Sequence, residues 1–219
     1  HTDYFPPVDK RSFDESMSGS FYGIGAQLKE DDGKIKIASL IAGMPAERNG
    51  DVKVDDEIIK IGEGKAEPVD VTGYAVTDAV KLIRGAEKGS EVRLTIKRAD
   101  GTIKVISIIR DEVEMEETYA KSSIVEKNGL KYGVIYLPKF YIDFENKDQR
   151  DAYKDVAQEI ERLKQAGIKG LIFDVRDNGG GSLKTVVDIA GLFIEKGPIV
   201  QVKSPQSVEP PLMDKDPQV

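Results

Sequence analysis

GLIFDVRDNGGGSLKTVVDIAGLFIEKG, residues Gly170 to Gly197, reads as three pieces in a row. Leu171–Val175 is a short apolar run between a glycine and a charged stretch, the pattern of a buried strand. Gly179, Gly180 and Gly181 follow, and three glycines in succession cost backbone entropy unless the chain needs special geometry or a close approach there. Leu183, Val186, Val187, Ala190 and Phe193 then recur at helical spacing and mark one apolar face. A strand that turns through glycines into a helix start aims bare N–H groups, and the positive end of the helix dipole, at one place. That place suits an oxyanion. A plain strand-to-helix turn would use the same residues, and the phosphate-loop pattern Gly-x4-Gly-Lys-Ser/Thr is absent.

Outward from this stretch, Pro198–Val202 reads as one more strand, and Tyr132–Leu137 as an earlier one ended by Pro138. Between them Tyr153, Val156, Ala157, Ile160 and Leu163 form the apolar face of a helix that stops at Gly167. Strand, helix, strand, helix, strand over residues 111–203 predicts an α/β layer with a parallel sheet. Residues 204–219 carry Pro205, Pro210, Pro211 and Pro217 and read as a loop or disordered tail. Residues 1–20, with Pro6-Pro7 and Ser18-Gly19-Ser20, read as an irregular lead-in. Residues 21–110 form a β-rich unit. In it Asp31-Asp32-Gly33 and Asp100-Gly101 mark hairpins, and Pro45 to Asn49-Gly50 marks a short helix. Val76, Val80 and Ile83 line one face of a second helix that ends near Gly85.

Composition narrows the chemistry. The net charge of −7 over 219 residues argues against nonspecific nucleic-acid binding, which needs a basic face. There is no cysteine, hence no disulfide, thiol nucleophile or thiolate metal site, a usage compatible with an oxidising compartment. The one histidine is His1, which argues against a Ser-His-Asp triad and a histidine metal site. No run approaches the ~20 apolar residues of a membrane span, and no metal or cofactor is expected.

Nucleophile candidates are poor. Ser182 sits where a helix N-cap belongs, and Lys184 two residues on points away from it. Asp174 and Asp177 offer a carboxylate pair, but one lies in an apolar strand and the other in a loop, where structural or capping roles suffice.

A second site starts at Tyr22-Gly23-Ile24-Gly25. Glycines before a strand let successive N–H groups converge on one anion. With a free strand edge beside the Val76–Ile83 helix, an extended peptide could add as a strand and leave its terminal carboxylate in that nest. A tight turn with an ordinary core helix would use the same glycines and valines.

The order of elements around that site resembles a PDZ domain over about ninety residues, above all in IAGMPAERNGDVKVDDEIIKIGEGKA, Ile41 to Ala66. The resemblance implies a peptide groove in which Gly23, Ile24 and Gly25 present amides to a carboxylate. Val80, and less centrally Val76 or Ile83, would line the apolar pocket. Gly170 to Val202, with the Arg176-x-Asn178-Gly179-Gly180-Gly181 core, resembles the C-terminal processing peptidases, also called tail-specific proteases. His1–Phe5 (HTDYF) and Lys139–Tyr141 (KFY) fit the same family. The fold class implied is an α+β PDZ domain followed by a partial α/β protease core (strand–helix–strand–helix–strand).

The family resemblance implies a serine endopeptidase that captures proteins or peptides by an apolar free C-terminus. It cleaves with a Ser–Lys dyad, and Gly180, flanked by Gly179 and Gly181, contributes to the oxyanion hole. The family's serine and lysine come after the glycine loop and are not found before Val219. The expectation is therefore a fragment that binds peptide but is inert. An unpartnered sheet edge could let such a fragment dimerise, and the family implies export, commonly to a periplasm. The alternative is a noncatalytic peptide-binding or regulatory module on the same scaffold.

Overall fold

The computed structural model describes residues 6–146 and 149–214, without the side chains of residues 7–9. The HTDYF stretch at His1–Phe5 lies outside the described residues. The chain divides into two compact units, one of residues 20–114 and one joining the residues up to 19 with those from 115 on.

The expected irregular lead-in is instead a helix, α1 (Pro7–Ser18). The Pro and Gly read as breakers are its punctuation: Pro7 is at the helix start, and Gly19, at φ 78°, ends it by donating its N–H to Glu15 O.

The 20–114 unit begins with β1 (Ser20–Gly23) and continues through β2 (Ala26–Asp31), β3 (Lys34–Leu40), α2 (Pro45–Asn49), β4 (Glu57–Glu63), β5 (Val69–Asp70), α3 (Val76–Ile83), β6 (Glu91–Lys97), β7 (Ile103–Ile109) and β8 (Asp111–Glu114). One antiparallel sheet runs β2-β3-β4-β6-β7, with β5 on β4. The alternation of β6 buries Val92, Leu94 and Ile96, and β7 adds Ile106 and Ile108. These pack with Ile35, Ile37, Ile58 and Ile61 and with Ala79 and Ile83 of α3. β8 falls in the stretch read as the start of the second unit, yet it pairs antiparallel with β1, Ser20 opposite Glu114 and Gly23 opposite Asp111.

The other unit holds β9 (Lys121–Lys127), β10 (Leu130–Tyr136), α4 (Ala152–Gln165), β11 (Leu171–Asp174), α5 (Leu183–Gly191), β12 (Gly197–Val200) and β13 (Leu212–Asp214). β10 and β11 pair in parallel across α4, as the pattern predicts. Two features differ from the expectation. The third strand of this sheet is β9, antiparallel to β10 through an Asn128-Gly129 turn, and β12 does not join it. β12 instead pairs with β13, so part of the proline-rich tail is ordered strand. Pro205, Pro210 and Pro211 all precede that strand and remove no N–H from it.

A polar cluster anchors this unit. Tyr141, fully buried, donates its O–H to Asp155 and accepts the Ala120 N–H at 3.2 Å. Asp155 also takes Arg150 Nε at 2.6 Å, and the Arg150 guanidinium lies 3.9 Å from the centroid of Tyr119, edge-on to Tyr141. The Tyr119 hydroxyl donates to Gly19 O at 3.1 Å and so ties α1 to the cluster. Burial pushes the Tyr141 hydroxyl far above its usual range, with the Asp155 bond adding to the shift, so it stays a donor.

Tyr141→Phe leaves the Ala120 N–H and one carboxylate lone pair unmatched, and urea unfolding should show a loss of about 1–3 kcal/mol. Asp111 tests the first unit. Its carboxyl is lowered to about 2, chiefly by the hydrogen bond from Lys88, then by the Glu112 N–H and Arg48. A depressed carboxyl stabilises above its unfolded value of ~3.9 and loses that contribution as pH falls through the folded value. The stability difference between wild type and Asp111→Asn should therefore be constant above about pH 5 and shrink toward pH 2.

Candidate functional site

The turn that enters β2 uses the carbonyls of Ile24 and Gly25 and leaves their amides unused. Ile24 O accepts the Ala46 N–H at 2.8 Å, and Gly25 O accepts the Ile41 N–H at 2.9 Å. Among the described residues, the Ile24 and Gly25 N–H groups have no acceptor. Gly25 sits at φ 70°, and a Cβ there would lie 2.1 Å from Met44 Cβ, so the position accepts glycine alone. Gly23 is placed differently from its neighbours. It lies in β1 opposite Asp111, while Tyr22 turns its carbonyl to Gly85 N–H at 3.0 Å. Alternate residues of a strand face opposite edges, so Gly23 turns its backbone toward β8 and away from Ile24 and Gly25.

Next to the turn, β2 is the end strand of its sheet, and α3 packs against β2 and β4. Of the three α3 candidates, Ile83 is core, and Val76 is half-buried against that core. Val80 is half-buried and stands apart from the core cluster.

The glycine loop is pinned in the other unit to the residues after β10. Asn178 Nδ2 donates to Leu137 O at 2.9 Å, while its Oδ1 accepts the Gly180 N–H at 2.8 Å. Phe140 N–H donates to Gly180 O at 3.0 Å, and Ser182 N–H to Phe140 O at 3.0 Å. Gly181, at φ 145°, passes so close that a Cβ would lie 2.2 Å from Phe140 O. Gly180 therefore spends its amide on Asn178, while the Gly179 and Gly181 N–H groups have no acceptor among the described residues. The Asn in the Arg-x-Asn-Gly-Gly-Gly string carried the signal for this brace, since an amide side chain both donates and accepts.

Ser182 caps α5 by accepting Thr185 N–H at 3.2 Å, and Lys184 pairs with Asp188. The Ser182–Lys184 pair is thus two separate helix contacts. A second serine and lysine do meet, Lys139 Nζ with Ser16 Oγ at 2.5 Å and Ser16 O at 2.8 Å. They are exposed, and the lysine serves the last carbonyls of α1. Asp174 and Asp177 do not form a site. Asp174 is bound by the exposed Arg176, whose hydrogen bonds hold its carboxyl below the usual range, and Asp177 bends the loop at φ 63°. Among the described residues no group of His, Cys, Asp or Glu is placed to hold a metal ion, and no helix is long and apolar enough to cross a membrane.

Comparison with known proteins follows the same division. Residues 12–97 match the PDZ domain model, and residues 131–217 match the model of peptidase family S41. The tail-specific protease of Haemophilus influenzae is 38% identical over 204 residues, 93% of this chain and 28% of that protein. The carboxy-terminal processing protease CtpA of Bacillus subtilis is 38% identical over 204 residues, 93% of this chain and 40% of that protein. The chain thus spans less than half the length of these relatives. A solved PDZ domain of the carboxy-terminal protease from Vibrio cholerae, in complex with peptide, is 38% identical over 43% of this chain and 98% of its own, with a TM-score of 0.41. The photosystem II D1 C-terminal processing protease is 19% identical over 93% of this chain and 52% of its own, with a TM-score of 0.40.

Neighbouring glycines of the loop should respond differently to a methyl group. Gly181→Ala meets Phe140 O and should cost about 2 kcal/mol or more. A Cβ at Gly179 meets nothing within 4 Å, so Gly179→Ala should change stability by less than about 1 kcal/mol. Thermal unfolding of the two variants checks both values.

Proposed function

We propose, for a chain that belongs with the S41 peptidases and carries a PDZ domain, that its first unit captures proteins and peptides by an apolar C-terminal residue with a free carboxylate. One observation carries this reading: two adjacent amides without acceptors, Ile24 and Gly25, lead into β2, the end strand of its sheet, against which the helix carrying half-buried Val80 packs. A peptide added along β2 would make ladder hydrogen bonds, place its carboxylate on the two amides and lay its last side chain on Val80. Gly23, opposite Asp111, supports the turn from behind.

The second unit supplies part of a serine endopeptidase. In acyl transfer a nucleophilic serine attacks the scissile carbonyl, a base takes its proton, and the carbonyl oxygen becomes an oxyanion that needs preorganised donors. Gly179 and Gly181 have the amides to give, and Asn178 holds the loop in shape. Ser182 and Lys184 are engaged in separate helix contacts, and Lys139 and Ser16 meet at the end of α1, so the reading is of a part that binds peptide and does not cleave it. The reading includes an exported, periplasmic setting, with which the lack of cysteine agrees. The use of the Gly180 amide within its own loop favours a second reading, in which the loop is structural and the chain is a peptide-binding module on a protease-like scaffold.

Charge-assisted hydrogen bonds contribute about 1.5–3 kcal/mol each, so replacing the peptide carboxylate by an amide should weaken binding by about tenfold or more. Val80→Glu should weaken it by at least as much by placing a charge on the pocket wall and beside the carboxylate. Fluorescence anisotropy with a labelled peptide ending in free valine measures both, and equal binding of acid and amide would refute the groove.

A further inference from the structure

Arg110 follows β7 and, among the described residues, is the largest side chain without solvent exposure. Burying a guanidinium is costly unless every donor is met. Here every donor is. Nε donates to Ile83 O at 2.7 Å, and Nη1 to Glu63 Oε1 at 2.8 Å, to Ser90 Oγ at 2.9 Å and, at 3.4 Å, to Glu91 O. Nη2 donates to the second Glu63 oxygen and, at 3.4 Å, to Leu82 O. Glu63, by contrast, is 60% exposed.

Two of these acceptors are the last carbonyls of α3. A helix end leaves its carbonyls without N–H partners and carries partial negative charge. α3 has no left-handed glycine cap, since Arg84 leaves the helix in extended geometry at φ −67°, ψ 144°. Arg110 takes that place. The next residue, Gly85, is pressed against the same side chain: a Cβ there would lie 2.6 Å from Arg110 Cδ. Gly85 in turn donates its N–H to Tyr22 O, and Tyr22 leads directly into the Ile24 and Gly25 amides. One buried guanidinium thus fixes the end of α3 nearest that turn and, one hydrogen bond further, the turn itself.

We propose that Arg110 is a positioning residue for the peptide groove: through the Leu82 and Ile83 carbonyls and Gly85 it holds α3 and the Tyr22–Gly25 turn at the separation a terminal carboxylate requires. Arg110 touches no peptide. The role rests on the groove reading above, and it is a role in preorganisation, so its loss appears as lost recognition of the carboxylate more than as lost fold.

Arg110→Lys is the sharpest test, because lysine keeps the charge but offers three donors where arginine offers five in a planar fork. Affinities are measured for the free-acid peptide and its C-terminal amide, with unfolding midpoints and hydrogen exchange at Gly85 N–H alongside. The expected result is a fall of about tenfold or more for the acid, a change within about twofold for the amide, and faster exchange at Gly85. A folded Arg110→Lys with the wild-type acid-to-amide preference overturns the proposal, because a merely structural arginine lowers the midpoint and leaves that preference alone. Should Arg110→Lys fail to fold, Glu63→Gln decides. It removes the exposed counter-ion and leaves the carbonyl and hydroxyl acceptors in place, and a loss of preference of about threefold is expected, an unchanged preference overturning the proposal. Equal binding of acid and amide by the wild type is a separate failure: it removes the groove reading, and Arg110 then has no groove to position.

Discussion

Two backbone hydrogen bonds, Ile24 O to Ala46 N–H and Gly25 O to Ile41 N–H, decide which way the Tyr22–Gly25 turn faces. Both carbonyls are spent inside the unit, while the Ile24 and Gly25 N–H groups have no acceptor among the described residues. Much of the unit serves this orientation. Met44 closes over Gly25 so that no side chain fits there, and the β1–β8 ladder takes Gly23. The Ile24 side chain is locked in the core. An unmatched amide is costly when nothing fills it. Two of them together at a strand edge are the arrangement on which the proposed carboxylate site rests.

In the second unit the proposed donors also sit on a braced loop. Its glycine loop does not float between β11 and α5. It is tied to Leu137 and Phe140 by three hydrogen bonds, one from the Asn178 side chain and two backbone, and the Asn178–Gly180 bond braces it internally. Phe140 is followed by Tyr141, whose buried hydroxyl joins Asp155, Arg150 and Tyr119 in one cluster. The loop therefore inherits the rigidity of the unit's polar core. Rigid donors are the ones worth having at an oxyanion, since they need no reorganisation when charge develops.

Sequence reading pointed to both candidate sites because glycine is a strong local signal, and it left them less resolved because glycine says nothing about which amide is spent. Gly180 looked central by position, yet Asn178 claims its N–H, and Gly23 looked equal to Gly25 until β8 was paired with β1. Val80, Val76 and Ile83 share one helical face in the sequence, and only packing separates the core residue Ile83 from the half-buried Val80. Long periodic elements such as α4 and β6 were plain. Short ones that depend on a distant partner, β1, β8 and β13, were not. Two misses had local signals: Asn128-Gly129 is a strong hairpin turn that announces β9, and Pro7 with Gly19 punctuates α1. Arg110 had none, because a lone arginine after a strand normally reads as surface.

The central claim is that the Ile24 and Gly25 amides receive a peptide carboxylate, and nuclear magnetic resonance of the backbone amides during titration with a free-acid peptide tests it most directly. The account predicts that these two amide protons move downfield together, as protons entering charge-assisted hydrogen bonds do, and that the C-terminal amide of the same peptide leaves them in place. Binding that shifts residues elsewhere while Ile24 and Gly25 stay fixed would contradict it.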